Sequence, residues 1–336
     1  MRGRPFFLAA VEDRLSGPGE VARERISRLA GPDDRLLTAT AGGFRCHFLV
    51  SESTRVAGFH EGSDIRVIVV GEVYPDPAGG EAEACLRAYE RQGIGFLESL
   101  HGSFCLVVAD DQLGTVRFAT DPVNTRKIMF GEHEGAAWFS TSHGFRLHPC
   151  SGRPDPAGLA HCLVNGVPMN GRTPFDGVRV LDRASGHEVT KRGVTSRTYW
   201  DDRPVPSNAR SLESIKLDLK DALFSAVERR LPSTGDVCVS LSGGYDSTVM
   251  LGALQGLAVP GVRCYTYEKP TETARSDVAV ARQTAAVAGY PLTELHAYQD
   301  DVHRVIDENV RRGNGLTRLV VETDTWTSLR DLLRSD

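Results

Sequence analysis

The sequence predicts a layered α+β domain over residues 1–203, followed by an α/β domain with a doubly wound parallel sheet over residues 212–336. Three observations predict it. In the first half, short apolar or alternating runs follow one another, separated by turn residues, with only two helical stretches between them. In the second half, runs rich in β-branched residues alternate with stretches of helical period. Between the halves, Pro204, Pro206, Ser207 and Asn208 interrupt all periodicity, so residues 204–211 read as a linker. At 336 residues the chain is also long for one domain.

Taken in order, residues 6–11, 36–41, 44–50, 66–70, 103–109, 116–119, 128–130 and 137–140 read as strands. Gly42-Gly43 and Glu134-Gly135 supply tight turns between neighbours. Residues 20–29 and 81–92 read as helices, the second with Ala84, Cys85, Ala88 and Tyr89 on one face. After the linker, Leu212, Ile215, Leu219, Leu223, Val227 and Leu231 recur at helical spacing, predicting an amphipathic helix packed beside the strand that follows. Val237, Val239 and Leu241 make that strand, and a helix is predicted over 248–257. Strand 262–267, helix 278–288 closed by Gly289, strand 292–295 and helix 302–311 complete the alternation.

Composition narrows the function. Hydrophobic residues make up 40% and charged residues 25%, as in ordinary globular proteins. The net charge of −5 lacks the basic footprint of a nucleic-acid binder. Arginine far outnumbers lysine, which occurs only at 127, 191, 216, 220 and 269; we read this as genome composition. The 7 cysteines include no CxxC pair, no HxxxH spacing accompanies them, and several sit in apolar runs. Reduced thiols in a cytoplasmic protein without a zinc site are expected. No apolar run approaches the ~18 residues of a membrane span, and residues 6–11 are too short for a signal peptide.

The chemistry concentrates in Ser242-Gly243-Gly244-Tyr245-Asp246-Ser247, between a predicted strand and a predicted helix. Such a junction presents unpaired backbone N–H groups and the positive end of a helix dipole, which suits phosphate. The glycines let the backbone approach an anion without a Cβ in the way. Ser242, Ser247 and Thr248 add hydroxyl donors, and Asp246 is placed to hold a magnesium ion. No lysine follows the glycines, so this is not a Walker loop, and adjacent glycines do not make a dinucleotide fingerprint. Gly-Gly alone would suit an ordinary turn that binds nothing; the full hexapeptide between strand and helix favours a ligand.

This hexapeptide resembles the SGGxDS signature of the PP-loop ATP pyrophosphatases. The resemblance implies that Leu241, Ser242, Gly243, Gly244, Tyr245, Asp246, Ser247 and Thr248 hold the pyrophosphate of ATP, with Mg2+ on Asp246. It also implies that strand 262–267, Thr266 included, lines the adenine pocket through its backbone. Asp277 reads equally as a helix cap or as a ligand.

The first half carries a second resemblance. Gly71-Glu72-Val73-Tyr74, Tyr89-Glu90-Arg91-Gln92-Gly93, residues 97–104, Ala119-Thr120-Asp121-Pro122, residues 139–142, residues 173–178 and Tyr199-Trp200-Asp201 occur in the same order as in the glutaminase-like domain of class B asparagine synthetases. That similarity implies an Ntn hydrolase-like αββα fold. The departures are informative. A working glutaminase of this family uses an N-terminal cysteine, exposed by removal of Met1; here Arg2 follows Met1 and the first cysteine is Cys46. Where the family has Asn-Gly-Glu, whose asparagine helps form the oxyanion hole, this chain has Val70-Gly71-Glu72. One oxyanion donor is worth ~3–4 kcal/mol, so the domain is expected to be a retained scaffold without glutaminase activity.

Together the resemblances imply an ATP-dependent, AMP-forming ligase that makes an amide from a carboxylate and an amine. Without an ammonia source, the amine is expected to belong to the substrate, as in β-lactam synthetases and the macrolactam cyclases of lasso peptides. The expected partners are a small-molecule or peptide carboxylate, including a precursor peptide, with a homodimer compatible and neither nucleic acid nor membrane. Free-ammonia asparagine synthesis and a non-catalytic binding role are the alternatives. The family's second, Gly-rich Asp-Glu signature does not occur before Asp336. The α/β domain therefore reads as C-terminally truncated, no catalytic residue is assigned, and the chain alone is expected to be an incomplete catalyst.

Overall fold

The computed structural model describes residues 6–13, 20–60, 62–74, 79–141, 152–203, 210–232, 237–268 and 277–296. These fall into two compact units, 6–203 and 210–296. Arg2, linker residues 204–209 and the expected helix 302–311 lie outside the described residues.

In the first unit, alternation along the chain builds two six-stranded sheets. One has the order β10 (Val178–Val180), β8 (Met129–His133), β9 (Ala136–Ser140), β1 (Phe7–Asp13), β3 (Phe44–Ser51), β2 (Asp34–Ala41). The other runs β12 (Gly193–Thr198), β11 (Ser185–Thr190), β7 (Thr115–Thr120), β6 (His101–Asp110), β5 (Ile65–Tyr74), β4 (Arg55–Ala57). Phe7, Ala9 and Val11 of β1 and Val70, Cys105, Val107 and Phe118 of the second sheet enter one core between the sheets. Phe118 stacks on Phe139 with ring centroids 3.7 Å apart. Helix α1 (Glu20–Arg28) places Ala22 and Ile26 with Leu8, Leu49 and Trp138 on the outer face of the first sheet. Helix α2 (Glu81–Gln92) places Ala82, Cys85 and Tyr89 with Val67, Val69 and Leu106 on the outer face of the second.

Several elements here are beyond what periodicity predicts. Strands β4, β10, β11 and β12, the 3-10 helix Gly93–Ser99 and helix α3 (Pro156–Asn165) have no counterpart in the sequence reading. Strand β12 carries polar residues on both faces, Thr195 and Arg197 on one and Ser196 and Thr198 on the other, and is mostly exposed, so it has no apolar period. Helix α3 is uncharged, and its Leu163 and Val164 face outward, which removes the usual polar stripe.

The second unit contains α4 (Leu212–Glu228), β13 (Cys238–Ser240), α5 (Tyr245–Gly256), β14 (Arg263–Glu268), α6 (Asp277–Ala288) and β15 (Leu292–His296). The three strands are parallel and run in the order β13-β14-β15. Val239, Leu241 and Cys264 of one sheet face pack with Leu251 and Leu254 of α5 and Ala281 and Ala285 of α6. With no reversal of strand order, right-handed crossovers put both connecting helices on the same side. Among the described residues these three strands thus carry α5 and α6 on one face; the rest of the expected doubly wound domain, residues 297–336, lies outside the described residues. Helix α4 differs as well. Val227, Leu223 and Phe224 join the core, but Leu212, Ile215 and Leu219 of the same stripe are exposed, so only the C-terminal turns pack.

Candidate functional site

The site residues gather where β13 ends and α5 begins. Leu241, almost fully buried, fixes the exit of the strand by donating its N–H to the Tyr265 carbonyl at 2.8 Å. Helix α5 starts at Tyr245, three residues earlier than periodicity predicts. Tyr245, Asp246 and Ser247 therefore lie in its first turn, leaving Ser242-Gly243-Gly244 as the loop. The first turn escapes a period-based reading because its residues are polar or exposed; Tyr245 is 90% exposed.

The loop's internal hydrogen bonds preorganise it. The Ser242 N–H donates to Ser247 Oγ (3.3 Å), and the two hydroxyls are 3.3 Å apart. Ser247 and Thr248 hydroxyls both donate to the Gly244 carbonyl, at 3.1 and 2.9 Å. Gly244 is the N-cap, with no side chain capping the helix, so the N-terminal amides of α5 are left for another acceptor. Asp246 stands exposed in that turn, and among the described residues no cation pairs with it. Gly243 has φ +75°, and a Cβ there would lie 2.6 Å from the Asp277 carbonyl oxygen. The start of α6 therefore packs directly against the loop. Asp277 is the neighbour that the hexapeptide could not reveal, although Ser276-Asp277 ahead of a helical run was its only signal.

Thr266 lies on β14, one residue beyond Tyr265, which receives the Leu241 N–H. Its side chain is buried on the helix-covered face, so a contribution from Thr266 to a ligand would have to come through its backbone. No group of three or more His, Cys, Asp or Glu residues suited to a metal occurs among the described residues. The single exposed Asp246 carboxylate beside an uncapped helix still fits magnesium, which keeps its waters and takes one or two carboxylates plus phosphate.

The sequence positions tied to glutaminase chemistry sit in the first unit. Val70 is 2% exposed on β5, in the core between the sheets, and its carbonyl faces Cys105 Sγ at 3.8 Å. Gly71 has φ +116°, and a Cβ there would lie 2.0 Å from the Ser103 carbonyl oxygen, so β5 and β6 run too close for any other residue. Glu72 is exposed and accepts a hydrogen bond from the Tyr74 hydroxyl at 2.5 Å. Cys46 and Cys105 are fully buried. Burial pushes the Cys105 thiol far up and the Cys85 thiol to about 12, which keeps both protonated and unreactive. The head of β1 is pinned by hydroxyls: Phe7 N–H donates to Thr141 Oγ1 (3.0 Å) and Phe6 N–H to Thr54 Oγ1 (3.1 Å).

A glutamine amidotransferase domain model matches residues 77–200, and an asparagine synthase model matches residues 218–327. Amidase chyE of Penicillium rubens is 25% identical over 315 residues, covering 81% of this chain and 45% of its own length. Amidase chry2 of Gibberella zeae is 23% identical over 287 residues, covering 74% of this chain and 41% of its own length. Glutamine-hydrolysing asparagine synthetase 3 of Bacillus subtilis is 25% identical over 183 residues, covering 52% of this chain and 29% of its own. The chain spans less than half the length of the curated relatives it matches. No helix among the described residues is long and apolar enough to cross a membrane.

Proposed function

We propose, for a chain that matches a glutamine amidotransferase domain over residues 77–200 and an asparagine synthase over residues 218–327, that its second unit binds ATP and serves an AMP-forming amide ligase. The observation that carries this reading is the uncapped N-terminus of α5, preceded by Ser242-Gly243-Gly244 at the carboxyl end of a parallel strand. The loop amides and the hydroxyls of Ser242, Ser247 and Thr248 would contact the β- and γ-phosphates, and Asp246 would hold Mg2+. Bound magnesium would supply counter-charge for a pyrophosphate leaving group. The fixed N–H groups act the same way and need no reorganisation when charge develops.

In this reading a substrate carboxylate attacks the α-phosphorus, pyrophosphate departs, and an amine displaces AMP to leave the amide. The amine belongs to the substrate itself, as in macrolactam or β-lactam formation, because Val70 offers no side-chain donor where glutamine hydrolysis would require one. The substrate is a small-molecule or peptide carboxylate. Two relatives bear the printed name amidase, which is compatible with a reaction at an amide bond.

Exchange of labelled pyrophosphate into ATP, measured with a panel of amino-acid and peptide carboxylates, tests the proposal. Exchange that depends on one carboxylate supports it and names the substrate. Binding of Mg·ATP with no exchange would support the nucleotide site and leave the ligase step without support in this chain, and no binding at millimolar ATP would remove the reading altogether.

A further inference from the structure

Helix α6 meets the phosphate loop at its first residue. Val278, Ala281 and Ala285 form the buried face of α6, and the two alanines pack with Val239 and Cys264 of the sheet. That packing delivers Asp277 to the loop. The contact is made by backbone, since a Cβ on Gly243 would lie 2.8 Å from the Asp277 Cα. The Asp277 side chain is exposed. An aspartate has a short reach, so its charge stands within about 10 Å of any phosphate held by the loop amides, roughly the Debye length at 0.1 M salt.

Among the described residues the Asp277 carboxylate takes part in no hydrogen bond or ion pair, so it does not act as a helix cap. The nearest cation along α6, Arg282, is held by Glu294 at 2.5 and 2.6 Å. Residues 241–248 contain no Lys, Arg or His. A free polyphosphate on this loop would therefore meet two unanswered carboxylates, Asp246 and Asp277, with no side-chain cation of the loop to offset them. A polyphosphate carrying magnesium meets the opposite situation, because that ion takes one or two carboxylates together with its phosphates. An acidic first turn also favours α6 through the helix dipole, but that role is open at any exposed helix start and needs no contact with Gly243. We propose that Asp277 is a specificity-determining residue of the nucleotide site: its charge rejects metal-free nucleotide and favours the Mg2+ complex, reinforcing Asp246. The proposal rests on the reading of the loop as an ATP site.

Equilibrium titration with ATP, in excess Mg2+ and in EDTA, tests it on the parent chain, Asp277→Asn and Asp277→Glu. Asp277→Asn should bind metal-free ATP about threefold to tenfold more tightly than the parent, and Mg·ATP about threefold to tenfold less tightly. Asp277→Glu keeps the charge and should keep the parent's preference. Raising the salt from about 0.1 to about 1 M shortens the Debye length to about 3 Å and should shrink the gain in metal-free binding. A merely structural role would move both affinities the same way, with a lower unfolding midpoint. An Asp277→Asn variant that loses both affinities together, or that gains none for metal-free ATP, would overturn the proposal. A parent that binds ATP in neither condition would overturn the nucleotide reading itself, and this proposal with it.

Discussion

Gly243 meets two demands that no other residue meets together. Its backbone is left-handed, which costs an L residue about 1–2 kcal/mol, and its missing Cβ leaves room for the Asp277 backbone. Gly243→Ala should therefore lower the unfolding midpoint of the second unit and also weaken nucleotide binding, because the loop must shift away from α6. Calorimetry with and without Mg·ATP measures both effects, and an alanine variant as stable as the parent would mean that the loop is not held as described. Ser242→Ala is milder. It removes a hydroxyl that joins Ser247 and receives the Gly244 N–H at 3.4 Å, a contact worth roughly 0.5–1.5 kcal/mol. ATP affinity should fall about threefold to tenfold, read by titration. At this scale the hexapeptide was legible because its residue types are themselves the chemistry. The approach of Asp277 was not, since it depends on where tertiary packing sets down a helix that begins some thirty residues later.

Strand β3 carries the clearest pH dependence of the first unit. His47 is buried, and neither ring nitrogen has a hydrogen bond; Glu12 Oε1 lies 3.4 Å from Nε2. Burial pulls the imidazole below its ordinary range, against the opposing pull of Glu12 and with help from Arg45 and Arg23. His187 of β11 is lowered by burial as well. The folded state thus releases these protons more readily than the unfolded state does. Stability is complete above the ordinary value of about 6.5 and declines as pH falls below it toward the folded values, by up to ~1.4 kcal/mol per pH unit per group. Urea unfolding of the first unit should show this loss between pH 7 and 5.5, and His47→Leu should flatten it. A parent with no slope in that window, or a variant with the same slope, would contradict the assignment. The legibility of the elements follows the same burial. Strands β1, β3, β5 and β6 read as apolar runs because both of their faces are buried, one between the sheets and one under a helix, whereas β12 and α3 present no matching period. The stripe of α4 was read correctly as a stripe, but sequence could not show that the core ends at Leu223.

Across the whole chain, two sets of motifs were legible because each occurs in order, while the strand order β13-β14-β15 follows from strand placement that no motif encodes. The molecule is expected to release no glutamate from glutamine above background, with or without ATP. Val70 sits inside the inter-sheet core, and loss of one oxyanion donor alone removes ~3–4 kcal/mol of transition-state stabilisation. A coupled glutamate assay measures this; turnover abolished by substituting a described cysteine would show that the first unit is a working glutaminase after all. The central claim, that the loop at the start of α5 is a phosphate site, is tested most directly by equilibrium binding of ATP to the parent chain and to Asp246→Ala, each with and without Mg2+. The account predicts that the parent binds ATP more tightly with magnesium and that Asp246→Ala abolishes this gain while retaining a weaker, metal-independent affinity. Equal binding by parent and variant under both conditions would contradict it.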